Sequence, residues 1–163
     1  MSSSTPVVRN KTVSFRDGDH TSKVTIQPAI YEALARHFGD DKDAYTFISG
    51  LAIQAHQARQ KKISGYIQDY ILDLVFPNNL TDGYLPSGDR VEVRIFDPVH
   101  NRPTKLITFG ALSYALDKLS DGNSSKIYNS TAAAYMKKVA GKERGRDLSF
   151  EVREELIRGV FEG

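Results

Sequence analysis

The feature that most constrains this chain is that its second half repeats the pattern of its first. Lys23, Ala29, Ala33 and Leu34 match Lys105, Ala111, Ala115 and Leu116 at an offset of 82 residues. Phe47, Ile48 and Ala52 match Ile127, Tyr128 and Ala132 at 80, the two lost residues falling in a polar turn. Ile63, Ser64, Ile67, Asp69, Ile71, Leu72, Val75 and Phe76 then match Leu148, Ser149, Val152, Glu154, Leu156, Ile157, Val160 and Phe161 at 85. Offsets that shift only in loops are what duplication of one structural unit produces.

Each copy spells out the same element order. Residues 11–16 set Val13 and Phe15 against Thr12, Ser14 and Arg16, and residues 23–27 set Val24 and Ile26 against Lys23, Thr25 and Gln27, the period-two pattern of half-buried strands. Pro28 then suits a helix start, and Ile30, Ala33, Leu34, His37 and Phe38 follow at helical spacing. Asp41 or Asp43 is expected to cap a second helix carrying Phe47, Ile48, Leu51, Ala52 and Ala55, and Ser64 a third that ends before Pro77. Past the Asn-, Asp-, Gly- and Pro-rich residues 78–89, strands at 90–96 and 104–109 and three more helices repeat the series, with Ser149 as the last cap.

The expected fold is therefore α+β and mainly helical, built from two tandem ββααα units packed about a pseudo-twofold axis in one compact domain. Residues 1–10 form a disordered arm, 11–77 the first unit, 78–89 a linker and 90–163 the second unit. A unit of this size buries too little surface alone, which is why the copies should share a core.

Composition narrows the function classes. Apolar residues make up 40% and charged residues 26%, the balance of a soluble globular protein. No apolar run approaches the roughly 18 residues that cross a bilayer, and residues 1–11 lack a signal-peptide pattern, so a cytoplasmic protein without membrane contact is expected. The absence of cysteine excludes disulfides, thiolate chemistry and cysteine zinc sites. The four histidines show no metal-ligand spacing, and no phosphate loop or nucleophile elbow is present, so neither enzyme activity, cofactor, metal nor small-molecule substrate is expected. A net charge of +2 does not by itself announce nucleic acid. Basic residues do cluster, at Arg59, Lys61 and Lys62 and again at Lys137, Lys138, Lys142, Arg144 and Arg146.

A strand of alternating polar residues followed by two helices around a short polar turn resembles the ribbon-helix-helix family of DNA-binding proteins. The resemblance covers residues 23–57 and, more weakly, 105–138. In that family two copies pair their strands into a ribbon in the major groove of double-stranded DNA, and a tandem chain would be a single-chain pseudo-dimer. The implied function is transcription regulation or an accessory role in plasmid and transfer complexes. Carried over by position, Lys23, Thr25 and Gln27 are the outward strand residues that read bases. Ser124, Ser125 and Lys126 match the second-helix start where the family docks a phosphate. In the second copy the outward positions are Lys105, Ile107 and Phe109. That leaves Arg90, Glu92 and Arg94 of the preceding strand as its polar face, or leaves the second copy with the frame alone.

The competing expectation is a coat- or scaffold-like protein that self-associates. Its basis is the tyrosine series Tyr31, Tyr45, Tyr66, Tyr70, Tyr84, Tyr114, Tyr128 and Tyr135, whose amphipathic rings suit interfaces when exposed.

Overall fold

The computed structural model describes residues 10–140 and 148–162; the expected arm at 1–9 and the basic residues Lys142, Arg144 and Arg146 lie outside the described residues. Among the described residues the chain is α+β and mostly helical, with two small antiparallel sheets and six helices. In order they are β1 (Lys11–Asp17), β2 (His20–Ile26), α1 (Pro28–Phe38), α2 (Asp41–Gln57), α3 (Ile63–Val75), β3 (Arg90–Asp97), β4 (Arg102–Phe109), α4 (Gly110–Leu119), α5 (Ser124–Val139) and α6 (Leu148–Glu162).

Each sheet is a two-stranded hairpin. β1 pairs with β2 in a register that sets Val13 opposite Val24, and β3 pairs with β4 so that Arg94 lies opposite Lys105. No ladder joins β2 to β4. The alternation read from the sequence holds at the first hairpin, where Val13, Phe15, Val24 and Ile26 are buried and Thr12, Ser14, Arg16, Lys23 and Thr25 are exposed.

An isolated hairpin leaves two raw edges, and here helix side chains close them. The Ser14 amide donates to the Tyr45 hydroxyl (3.0 Å) and the Ser14 carbonyl accepts from Ser49 (3.2 Å). The Thr25 amide donates to Ser64 Oγ and the Ile107 amide to Ser149 Oγ, at 3.3 and 2.9 Å, while the Phe96 amide donates to Asn129 Oδ1. Ser64 and Ser149 thus hold strand edges instead of capping helices. α3 starts one residue before Ser64, after Lys62 in the left-handed conformation (φ 55°), and α6 is already helical at Leu148. The cap of α2 is Asp40, whose carboxylate accepts from the Lys42 amide, because the left-handed Gly39 (φ 75°) turns the chain one residue earlier than expected.

The core is one apolar cluster drawn from both halves of the chain, including Leu34, Ile48, Ile71 and Leu72 with Leu112, Tyr128, Val152 and Ile157. α1 packs on α6 and α3 on α4, so the halves meet through helices. This joint is made by two buried carboxylates. Neither α1 nor α4 has a capping side chain at its own start, where Gln27 and Phe109 precede the first turn. Their free amides are met from the opposite half: Ala29 N–H donates to Glu154 Oε1 and Ala111 N–H to Asp69 Oδ1, both at 2.8 Å. Ala29 and Ala111 are matched positions of the repeat, as are Asp69 and Glu154.

Each carboxylate is anchored by its second oxygen. Asp69 Oδ2 accepts from the Tyr84 hydroxyl (2.5 Å) and the Ser87 amide (2.9 Å), and Glu154 Oε2 from Arg158 (3.1 Å), which also pairs with Glu32. The expected linker is thereby a packed strap, with Leu80 and Thr81 buried. Gly110 is required beneath it, because a Cβ there would overlap the Tyr84 hydroxyl.

Removing the Asp69 carboxylate leaves three donors without an acceptor, each costing about 1–3 kcal/mol when buried. Asp69→Ala should therefore lower unfolding free energy by at least about 3 kcal/mol in urea titration. Glu154→Ala should cost about 2 kcal/mol or more, and exposed Glu155→Ala less than about 0.5 kcal/mol.

Candidate nucleic-acid interface

The sequence-nominated residues fall into two surface groups and one buried position. Lys23 projects from the exposed face of β2, beside Thr25, with Thr12, Ser14 and Arg16 of β1 on the same face. Two strands with polar residues at every second position form a two-stranded ribbon, so this face comes from one hairpin and not from strands of two copies. Between the strand and the start of α3 is a cavity of about 610 Å³ lined by Lys23, Lys62, Ser64 and Arg90.

A second cavity of about 550 Å³ lies at the corresponding place beside α6, lined by Asp97, Arg102, Lys105, Ser149 and Arg153, and Arg90 borders this one too, so that four cations outnumber one carboxylate. Lys23, Arg90 and Lys105, far apart in sequence, are thereby brought to adjoining cavities. Arg90 lies 4.1 Å from the Phe109 ring centroid, an arrangement that holds the guanidinium over the aromatic face. Burial works to lower the Arg90 pKa while Asp69 opposes the shift; an arginine remains charged all the same. Lys105 pairs with Glu92 at 3.5 Å, with both side chains exposed, which screens rather than removes its charge.

The other group lies along the opposite edge of the second hairpin. Arg94, Phe96 and Pro103 of the strands meet Ser125, Lys126 and Asn129 of α5 around a cavity of about 430 Å³. Ser124, the first residue of α5, does not line it.

Gln27 is a correction. The alternating pattern runs through it, but β2 ends at Ile26 and Gln27 turns inward, 3% exposed. Its amide donates to Gln68 Oε1 (2.8 Å), its Nε2 donates to the Phe150 carbonyl (3.0 Å) and its Oε1 accepts from Arg153 Nε (2.9 Å). With every polar atom used inside the protein, it has nothing to offer a base in this fold. Thr12, Ser14 and Arg16 are legible in the sequence as an outward face, and the β1–β2 register adds them to the face of Lys23 and Thr25, which a pattern of one strand per copy does not include. Lys62 carries no periodic signal and is placed by the left-handed turn before α3, while Arg102 opens β4 opposite Asp97.

The tips of the two hairpins each hold an aspartate beside an imidazole. Asp17 Oδ2 lies 2.9 Å from His56 Nδ1, and the His56 ring stacks on His20 at 4.5 Å; Asp97 Oδ2 lies 2.7 Å from His100 Nδ1. Among the described residues no group of three or more histidines, cysteines and acids is arranged to hold a metal ion. No helix among them is long and apolar enough to cross a membrane. Comparison with protein-family models, with curated proteins and with solved structures gives no match to this chain.

The tip pairs set a pH dependence. Hydrogen bonds from His56 and Gln57 hold the Asp17 carboxyl below its ordinary value; at Asp97 burial pushes upward, but bonds from the His100 ring and the His100 and Val99 amides outweigh it. A lowered folded value means stability present above the unfolded pKa of about 3.9 and lost as pH falls through the folded value. Asp69, which burial pushes up, acts in the opposite sense. The double variant Asp17→Asn with Asp97→Asn should therefore lose less stability than wild type between about pH 4 and pH 2, as read from urea midpoints.

Proposed function

We propose that the chain is a double-stranded DNA-binding protein, made of two tandem units about a pseudo-twofold axis, that engages the major groove with its first hairpin. Its biological setting would be transcription control or plasmid and transfer-complex processing, as an accessory factor inside the cell. The exchange of carboxylate caps between Asp69 and Glu154 supports the pseudo-twofold, since a twofold contact is one in which residue i meets j and j meets i. Phe76 and Phe161, also matched positions, touch each other with ring centroids 5.4 Å apart, as residues near such an axis do.

The observation that carries the functional reading is the exposed face of β1 and β2. Thr12, Ser14, Arg16, Lys23 and Thr25 give it donors and acceptors at strand spacing with no carboxylate among them. The major groove admits a two-stranded ribbon, and lysine or arginine to guanine and hydroxyls to either base are suitable contacts. The cavities around Lys23, Arg90 and Lys105 supply positive charge for the flanking phosphates. The ribbon-helix-helix resemblance is retained in part: the order of strand, helix and helix supports it, while the ribbon is built within one unit. The second hairpin, with Glu92 and Phe96 on its outer face, contributes charge more than base reading.

A second reading has its own observation. Phe38, Phe47, Tyr70 and Tyr66 form a row of ring contacts at 5.2, 6.3 and 6.1 Å across α1, α2 and α3, with Leu74 exposed beside it. Such a row favours self-association. The tyrosines do not contribute equally: Tyr31 and Tyr128 are buried, with their hydroxyl pKa values pushed up to about 12 by burial, and Tyr114 is bonded to the Asp82 carbonyl.

In fluorescence anisotropy with a labelled duplex, Arg16→Ala and Lys23→Ala should each weaken binding about tenfold and reduce the slope of log affinity against log salt by about one. Gln27→Ala should instead lower the melting temperature and leave affinity unchanged; retained affinity in both basic variants would remove the hairpin from the interface. Light scattering that stays monomeric at high concentration would dismiss the self-association reading, whereas assembly abolished by Tyr70→Glu would establish it.

A further inference from the structure

The two hairpins differ in what covers their outer edge. On the first, Tyr45 of α2 lies against β1, its hydroxyl accepting from the Ser14 amide. Eighty residues on, the matched position in α5 is Ser125. The shorter side chain leaves an open depression of about 430 Å³ between β3 and α5. The groups around it are chemically mixed in a particular way. Phe96 keeps 45% of its surface exposed although it is a large aromatic residue on a strand, while Arg94 and Lys126 bring two cations and Asn129 and Pro103 complete the wall. The Asn129 amide is fixed, because its Oδ1 accepts from the Phe96 backbone.

An exposed ring that shares a cavity with two cations is suited to an anion that carries a flat π-system. A phosphate alone would leave Phe96 without a role, and a simple apolar ligand would leave Arg94 and Lys126 without one. We propose that this cavity holds one unpaired nucleotide of a nucleic-acid strand, its base stacked on Phe96 and its phosphate between Arg94 and Lys126. The choice of a nucleotide over another anionic aromatic group rests on the DNA-binding reading above. It also gives the second hairpin a role distinct from the first: Arg94 lies opposite Lys105 in the β3–β4 register, so cations run from this cavity across the hairpin to the one beside α6. Base stacking on an aromatic side chain is tolerant of sequence, so the site would recognise single-stranded character at the end or at an opening of a duplex.

The test compares a blunt labelled duplex with the same duplex carrying a four-nucleotide single-stranded overhang, an overhang of abasic residues, and a short single strand by itself. Wild type should bind the overhang duplex about tenfold more tightly than the blunt one. Phe96→Ala should abolish that gain and leave blunt-duplex affinity unchanged, and Ser125→Tyr, which restores the tyrosine found on the first hairpin, should abolish the gain as well. Circular dichroism melting checks that both fold, and Phe96→Ala decides the matter if Ser125→Tyr does not. An overhang gain that survives both substitutions overturns the proposal, and so does an equal gain from the abasic overhang, which would make it a phosphate contact only. Blunt binding with no overhang gain overturns it while leaving the DNA-binding reading intact. Single-strand binding that depends on Phe96 without any duplex binding upholds the site and overturns that reading, and no binding of either strand form overturns both. A phosphotyrosine peptide that binds as tightly as the single strand and competes with it would overturn the nucleotide assignment.

Discussion

The rest of the structure depends on the exchange of two carboxylates. α1 and α4 both begin without a capping side chain, and a buried helix start cannot be left with free amides. Asp69 and Glu154 meet that requirement, each from the other half of the chain, at 2.8 Å. A carboxylate at a helix start also gains from the partial positive charge there, by up to about 2 kcal/mol in partly buried geometries. The consequence is that neither half completes its own first helix, so the halves are tied together by chemistry as well as by apolar burial.

From that joint the placement of the surface follows. Asp69 gathers Tyr84 and Ser87, which pulls the connecting strap onto α3 and delivers Gly88 and Arg90 beside Gly65. Arg90 then borders both cavities and sits against Phe109. On the other side Arg153 binds the Gln27 side chain and the Ile107 carbonyl, which fixes α6 to the start of α1 and to β4. The placement of Arg90 at both cavities is therefore a consequence of how the halves dock.

Much of this was legible in the sequence, and the failures have identifiable causes. The offset pattern located the strand and helix order, and matched positions such as Ile48 with Tyr128 and Ile67 with Val152 are buried in both halves. The coincidence of Ser64 with Ser149 is also visible, but a serine before an apolar helix looks like a cap, and only the tertiary fold shows the hydroxyls turned to strand edges. Alternation alone points Gln27 outward, because the pattern has no internal marker of where a strand ends. Asp69 and Glu154 could be matched but not interpreted, since their partners lie 42 and 125 residues away. The open cavity at Ser125 is likewise invisible until Tyr45 is seen bonded to the edge of β1 at the matched position.

The claim that the first hairpin is the nucleic-acid face is tested most directly by mapping backbone amide shifts in ¹⁵N-labelled protein as an unlabelled duplex is added. The account predicts that the perturbed residues centre on Thr12, Ser14, Arg16, Lys23 and Thr25 and extend to Lys62 and Arg90. Shifts confined to the aromatic row of α1, α2 and α3, or none at all at saturating duplex, would contradict it.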